Sequence, residues 1–166
     1  FAELRAHCLR HVAPQDRVLM LGCGNSSFSA DLYDHGTEQI VNVDFSESLI
    51  ASMRAQHQQE RPRMTWEVMD MTALALPDQS FDVVLDKGAL DALLSVDEPR
   101  LLAKASDMFA HIERVLVPGG KVSACLPAWM DGWIDWSLRV WLSRRRAPLP
   151  CVSWSHPCAF LCFCVP

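Results

Sequence analysis

Short apolar runs alternate with amphipathic stretches along the chain as far as residue 126. "RVLML" (17–21), "QIVNVD" (39–44), "MTWEVM" (64–69), "FDVVL" (81–85) and "KVSACL" (121–126) have strand length and strand composition, so five strands are predicted. Between them, apolar residues recur at helical spacing. Residues 2–12 place Leu4, Cys8, Leu9 and Val12 on one face before Pro14 ends the segment. A second helix spans Ser26 to His35 and is closed by Gly36. A third runs from a cap at Ser46 to about Gln59. Ser95 and Glu98 form a capping box for a fourth, whose apolar face runs from Leu101 through Ala105, Met108, Phe109, Ile112 and Val115 until Pro118-Gly119-Gly120 stops it. This alternation predicts an α/β fold, a Rossmann-like and mostly parallel sheet with helices on both faces.

Past residue 127 the pattern thins. "WSLRVW" (136–141) and "AFLCFCV" (159–165) are predicted as an antiparallel edge hairpin, with Pro148, Pro150 and Pro157 in the loop between them. One domain is therefore expected over 1–142. Residues 143–166 form a proline- and cysteine-rich tail, read as either an edge strand or a disordered segment, so the C-terminal edge of the sheet is incomplete on this reading.

Composition narrows the function classes. A length of 166 residues suits one domain, and half of them are apolar, enough for a sizeable core. The net charge of −5 argues against a nucleic-acid-binding face, and Arg144-Arg145-Arg146 reads as a solvated turn. No apolar stretch has the length of a membrane span, and no secretory leader is visible. The chain opens at Phe1 and is expected to be a piece of a longer protein. Cys8, Cys23 and Cys125 read as reduced, small apolar residues. Cys151, Cys158, Cys162 and Cys164 lack zinc-ligand spacing, so no metal is expected and a reducing, cytoplasmic setting fits.

The candidate chemistry sits just after the strands, where open parallel sheets bind ligands. Gly22, Cys23, Gly24, Asn25 and Ser26 follow the first, Asp44 ends the second, Asp70 and Met71 follow the third, and Asp86, Lys87 and Gly88 follow the fourth. Gly22 and Gly24 allow a ligand to lie against bare backbone next to a helix N-terminus. Asp44, twenty residues beyond Gly24, is placed to accept two hydrogen bonds from a ribose diol. Duller readings stand beside these: a plain strand-to-helix turn for the glycines, a helix cap for Asp44, a solvated turn for Asp70. A dinucleotide and S-adenosylmethionine fit the loop equally. Ser27 in place of a third glycine disfavours the dinucleotide, and Asp70-Met71, suited to an adenine amino group and ring, favours S-adenosylmethionine.

Taken together, "VLMLGCGNS", "VNVDFSE", "WEVMDMT", "FDVVLDKGALDALL" and "RVLVPGGK" resemble the class I S-adenosylmethionine-dependent methyltransferases. The stretch Asp86 to Ala92 resembles the branch that methylates lysines of translation elongation factor 1-alpha. The resemblance covers roughly residues 1–127. It implies a protein substrate, S-adenosylmethionine as cofactor, and a cofactor site made of Leu21, Gly22, Cys23, Gly24, Asn25, Asp44, Phe45, Asp70, Met71 and Asp86. Asp86 is implied to line the transfer pocket and to steer or help deprotonate the lysine amine. The region beyond 127, which shapes the substrate groove in the family, departs from it here. A small-molecule methyltransferase and a catalytically silent binding module are the alternatives. Trp129, Trp133 and Trp136 read as core packing rather than as an exposed contact face.

Overall fold

In a computed structural model, which describes residues 12–94, 99–127, 151–155 and 158–164, the predicted alternation forms one sheet flanked by helices. The elements are β1 (Val18–Leu21), α1 (Phe28–Asp34), β2 (Ile40–Asp44), α2 (Glu47–His57), β3 (Met64–Val68), β4 (Phe81–Asp86), α3 (Ala89–Leu94), α4 (Pro99–Val115), β5 (Leu116–Pro127), β6 (Cys151–Ser155) and β7 (Cys158–Cys164). The strand order is β3-β2-β1-β4-β5-β7-β6. β3, β2, β1, β4 and β5 run parallel, and β7 is antiparallel to both β5 and β6. Leu21 at the end of β1 faces Val43 on one side and Asp86 on the other. The chain works outward from β1 to β3, then crosses to β4, so the order reverses between β1 and β4 and opens a crevice at their carboxyl ends.

Alternation along β1 builds two cores. Leu19 and Leu21 join Val84, Leu90, Ala105, Met108, Ile112 and Val115, the face covered by α3 and α4. Val18 and Met20 join Phe28, Leu32, Ile50, Met53 and Trp66, the face covered by α1 and α2. A strand buried on both faces must be apolar throughout, which is why "VLML" carries no polar residue. Ser46 caps α2 as predicted, its Oγ accepting the Leu49 N–H at 3.4 Å. Gly36 ends α1 with φ +103°, its N–H donating to the Tyr33 carbonyl at 2.9 Å. At the opposite end of the sheet from the crevice, Arg17 donates from Nε to Asp82 Oδ2 at 2.9 Å and from Nη2 to Oδ1 at 3.2 Å.

Three expectations change. α3 is an added helix in a stretch read only as motif; at six residues it is too short for a periodic signal. The chain passes from α4 into β5 with no loop. Pro118-Gly119-Gly120 lies inside the strand as an irregularity between the Phe81↔Leu116 and Val83↔Lys121 pairs, where Gly119 takes φ +79°. Cys151–Ser155 forms a strand where a proline loop was expected. Pro150 and Pro157 flank it in sequence, and between them Val152 is β-branched and Trp154 aromatic. Residues 1–11, the capping box at 95–98 and the expected strand at 136–141 lie outside the described residues; β7 at Cys158–Cys164 falls on "AFLCFCV", and its partners are β5 and β6. Among the described residues no helix is long and apolar enough to cross a membrane.

On the α2 face, His57 stacks on Trp66, centroids 5.5 Å apart and planes 14° from parallel. Its Nδ1 lies 3.2 Å from Nη1 of Arg61, which also pairs with Asp34 at 2.7 Å. Burial first, and the Arg61 guanidinium second, hold the imidazole below its ordinary 6.5. A depressed folded value contributes stability above the unfolded pKa that is lost as pH falls through the folded one. Thermal melts from about pH 7.5 to about pH 5 should therefore show wild type losing more melting temperature on acidification than His57→Gln. Parallel curves would remove His57 from this role.

Candidate active site

The crevice at the β1/β4 reversal holds a cavity of about 540 Å³ lined by Gly22, Asp44, Phe45, Met69, Asp70, Met71, Thr72, Gly88, Ala89, Ala92, Leu93 and Lys104. That size takes a nucleoside-sized ligand. Its width at the base is set by Gly22, whose φ is +54°; a Cβ there would stand 2.6 Å from Cβ of Ala89. Only a residue without a side chain lets the end of β1 pass α3 this closely.

Three carboxylates stand at the ends of successive strands, and each is used differently. Asp44 is buried at 9 % exposure, and each oxygen accepts one backbone N–H: Gly24 to Oδ2 and Ser46 to Oδ1, both at 3.0 Å. This ties the glycine loop to β2 and leaves a second lone pair on each oxygen for a ligand. Asp70 is exposed, and Thr72 donates both its N–H and its hydroxyl to Oδ1 at 2.8 Å, while Oδ2 receives neither. The Thr72 backbone and hydroxyl bonds hold the Asp70 carboxyl below the usual range, so it is an ionised acceptor. Asp86 is buried at 3 % exposure and accepts from Gly88 and Ala89 on Oδ1 (2.9 and 2.6 Å) and from Leu90 on Oδ2 (3.0 Å). Burial pushes its carboxyl up against the opposing effect of those three amides.

The cavity thus brings together six of the residues singled out in the sequence, Gly22, Asp44, Phe45, Asp70, Met71 and Gly88. Phe45 is 83 % exposed at the rim, a free aromatic face beside the opening. Asp86, expected to line the transfer pocket, turns its oxygens into the first turn of α3 and is not among the residues that line this cavity. Leu21, Cys23, Gly24 and Asn25 are likewise outside the lining. Leu21 is a core residue, and Gly24 acts through Asp44. The Cys23 thiol is pushed up to about 12, by burial first and Asp44 second, which favours the protonated thiol. Met69, Thr72, Ala89, Ala92, Leu93 and Lys104 went unread. Ala89, Ala92 and Leu93 follow the "DKG" motif and carry an i, i+3, i+4 signal; Lys104 had none. Among the described residues no cluster of three His, Cys, Asp or Glu side chains is placed to hold a metal ion.

The residues fit an S-adenosyl nucleoside on three counts: bare backbone at Gly22, apolar walls from two methionines and α3, and acceptor oxygens at two separated points for a ligand rich in donors and positive charge. Residues 18–120 match the profile of a family described as a methyltransferase domain. The chain is 44% identical over 121 residues to the eEF1A lysine and N-terminal methyltransferase of Homo sapiens, a match covering 73% of this chain and 17% of that protein. It is 37% identical over 154 residues to EEF1A lysine methyltransferase 4 of Mus musculus, covering 84% of this chain and 60% of that protein. The chain therefore spans under a fifth of the first relative and somewhat over half of the second. Among solved structures it is similar in fold to the PH0226 protein of Pyrococcus horikoshii (TM-score 0.74, 20% identity, 99% of this chain and 89% of that one). It is also similar to the N-methyltransferase NodS of Bradyrhizobium japonicum in complex with S-adenosyl-L-homocysteine (TM-score 0.71, 17% identity, 99% and 85%).

Gly22→Ala should combine a strained φ with the Ala89 contact, lowering stability by more than about 1 kcal/mol and narrowing the cavity. Asp86→Asn should cost about 1–3 kcal/mol, because one amide-bonded oxygen becomes an NH₂ facing backbone donors. Denaturant unfolding measures both, and wild-type stability in either variant would remove the corresponding contact from this account.

Proposed function

We infer that this chain, which belongs to the S-adenosylmethionine-dependent methyltransferase family, transfers a methyl group to a lysine amine of a protein substrate. The observation that carries the reading is the convergence of Asp44, Asp70 and the Gly22 gap on one cavity at the sheet reversal. The substrate class rests on the similarity to proteins named for methylating eEF1A, which makes that elongation factor the proposed partner.

Asp44 is proposed to accept hydrogen bonds from the ribose hydroxyls on its remaining lone pairs. Asp70 accepts from the adenine amino group, and Met71 and Phe45 pack on its ring. Gly22 and Gly88 give the methionine portion room against backbone. When bound, S-adenosylmethionine supplies a methyl group activated by its positive sulfur. The chain's part is to align that methyl with the incoming amine and to keep bulk water from the apolar walls. The lysine reacts as the neutral amine, and the acidic rim draws its cationic form toward the cavity before the proton leaves to water. Asp86, with its oxygens on three amides, is proposed as a positioning residue that fixes α3 rather than as the base.

The test incubates the chain with methyl-labelled S-adenosylmethionine and purified eEF1A. Label is expected on a lysine of that protein, and Asp44→Ala should weaken cofactor binding by at least roughly tenfold in calorimetry. Label appearing only in a small-molecule fraction would replace the proposed substrate class. No binding of S-adenosylmethionine would overturn the cofactor assignment.

A further inference from the structure

One wall of the cavity, Met69 to Thr72, belongs to the connection between β3 and β4, which has no helix of its own. Its near end is tied to β2, where the Met69 N–H donates to the Asp44 carbonyl at 3.0 Å. Its far part is gripped by a single side chain of α4. Arg114 donates from Nη1 to the Leu76 carbonyl and to Oδ1 of Asp78, and from Nη2 to the Leu74 carbonyl, each at 2.6 Å. Nδ1 of His111, one turn back on α4, lies 3.2 Å from the same Nη2. Backbone bonds continue the grip: the Gln79 N–H donates to the Arg114 carbonyl at 2.9 Å and the Ser80 N–H to the Val115 carbonyl at 2.8 Å. Leu74, buried with Met108 and Ile112, seats the same connection on α4 from inside. Arg114 itself does not line the cavity.

We propose that Arg114 is a positioning residue for the ligand cavity, holding the β3–β4 connection so that Asp70, Met71 and Thr72 stand at a fixed distance from α3. The chemistry favours arginine at this position. Three acceptors on a loop without internal regular structure are met by one planar fork, whereas a lysine ammonium is a point donor that meets fewer of them in fixed geometry. Without the fork, the connection samples more conformations, and a ligand has to order the wall as it binds. The effect reaches the ligand through Asp70–Thr72 alone, so it acts on affinity more than on the transfer step.

The choice of ligand rests on the methyltransferase reading. Calorimetry with S-adenosylhomocysteine should find Arg114→Gln roughly tenfold weaker than wild type and Arg114→Lys in between. Arg17→Gln, which breaks the Asp82 pair at the far end of the sheet, should bind as wild type does while also lowering the melting temperature. Amide exchange should speed up across residues 70–76 in Arg114→Gln and not in Arg17→Gln. If Arg114→Gln does not fold, Asp78→Ala removes one of the three contacts and should shift affinity and exchange in the same direction by less. Wild-type affinity in the folded Arg114 variant, or equal weakening in Arg17→Gln, overturns the proposal. Failure of wild type itself to bind would instead count against the methyltransferase reading, and the exchange comparison at 70–76 would then decide the clamp.

Discussion

The site depends on one buried carboxylate and the backbone it organises. Taking Asp86 out of water disfavours its charge, and the three N–H groups of Gly88, Ala89 and Leu90 offset much of that cost. Those donors are the otherwise unpaired amides at the start of α3, so a single interaction answers two unsatisfied requirements. It also fixes where α3 begins, and therefore where Gly88, Ala89, Ala92 and Leu93 face the cavity. The Gly22–Ala89 approach is the other half of the same constraint. With α3 pinned to β4 and β4 paired to β1, the residue opposite Ala89 has no room for a side chain.

Three acids at successive strand ends look equivalent in sequence, and the surroundings of each sort them into different work. Asp86 is enclosed and structural. Asp44 is divided: its bonds to Gly24 and Ser46 hold the loop and the start of α2, and its remaining lone pairs face the cavity. Asp70 is exposed and keeps one oxygen clear of Thr72. The gradient from buried to exposed runs from the structural acid to the one most available to a ligand. The Thr72 bonds lower the Asp70 carboxyl first, and the charge of Lys104, also in the lining, adds to them.

The parallel sheet and its two helical layers were legible because the signals are local and repeated. Apolar runs, the Ser46 cap and Gly36 each state a backbone requirement within a few residues. The gathering of Gly22, Asp44 and Asp70 on one cavity was legible because topology places strand ends together whatever the side-chain packing. The use of Asp86 by three amides at the start of α3 was not legible, because the same address serves a ligand or a helix start and only burial distinguishes them. Lys104 lies sixty residues from Asp44 on a long helix, and nothing near it in sequence marks a cavity. β6 was hidden by flanking prolines, which count against a strand in its middle but mark its ends equally well.

The helix that carries Lys104 also carries Arg114, and this links the cavity to the core beneath it. α4 buries Ala105, Met108, Ile112 and Val115 in the core on that face, so its position is set by apolar packing. From that fixed rod one polar side chain enters the cavity lining and another reaches the connection that forms its wall. A site with one wall on irregular backbone needs a rigid neighbour, since loops without their own ladder of hydrogen bonds sit at the low-stability end of a fold. Placing the anchor on a core helix makes the wall as steady as the core, while the residues that would touch a ligand remain exposed enough to do so.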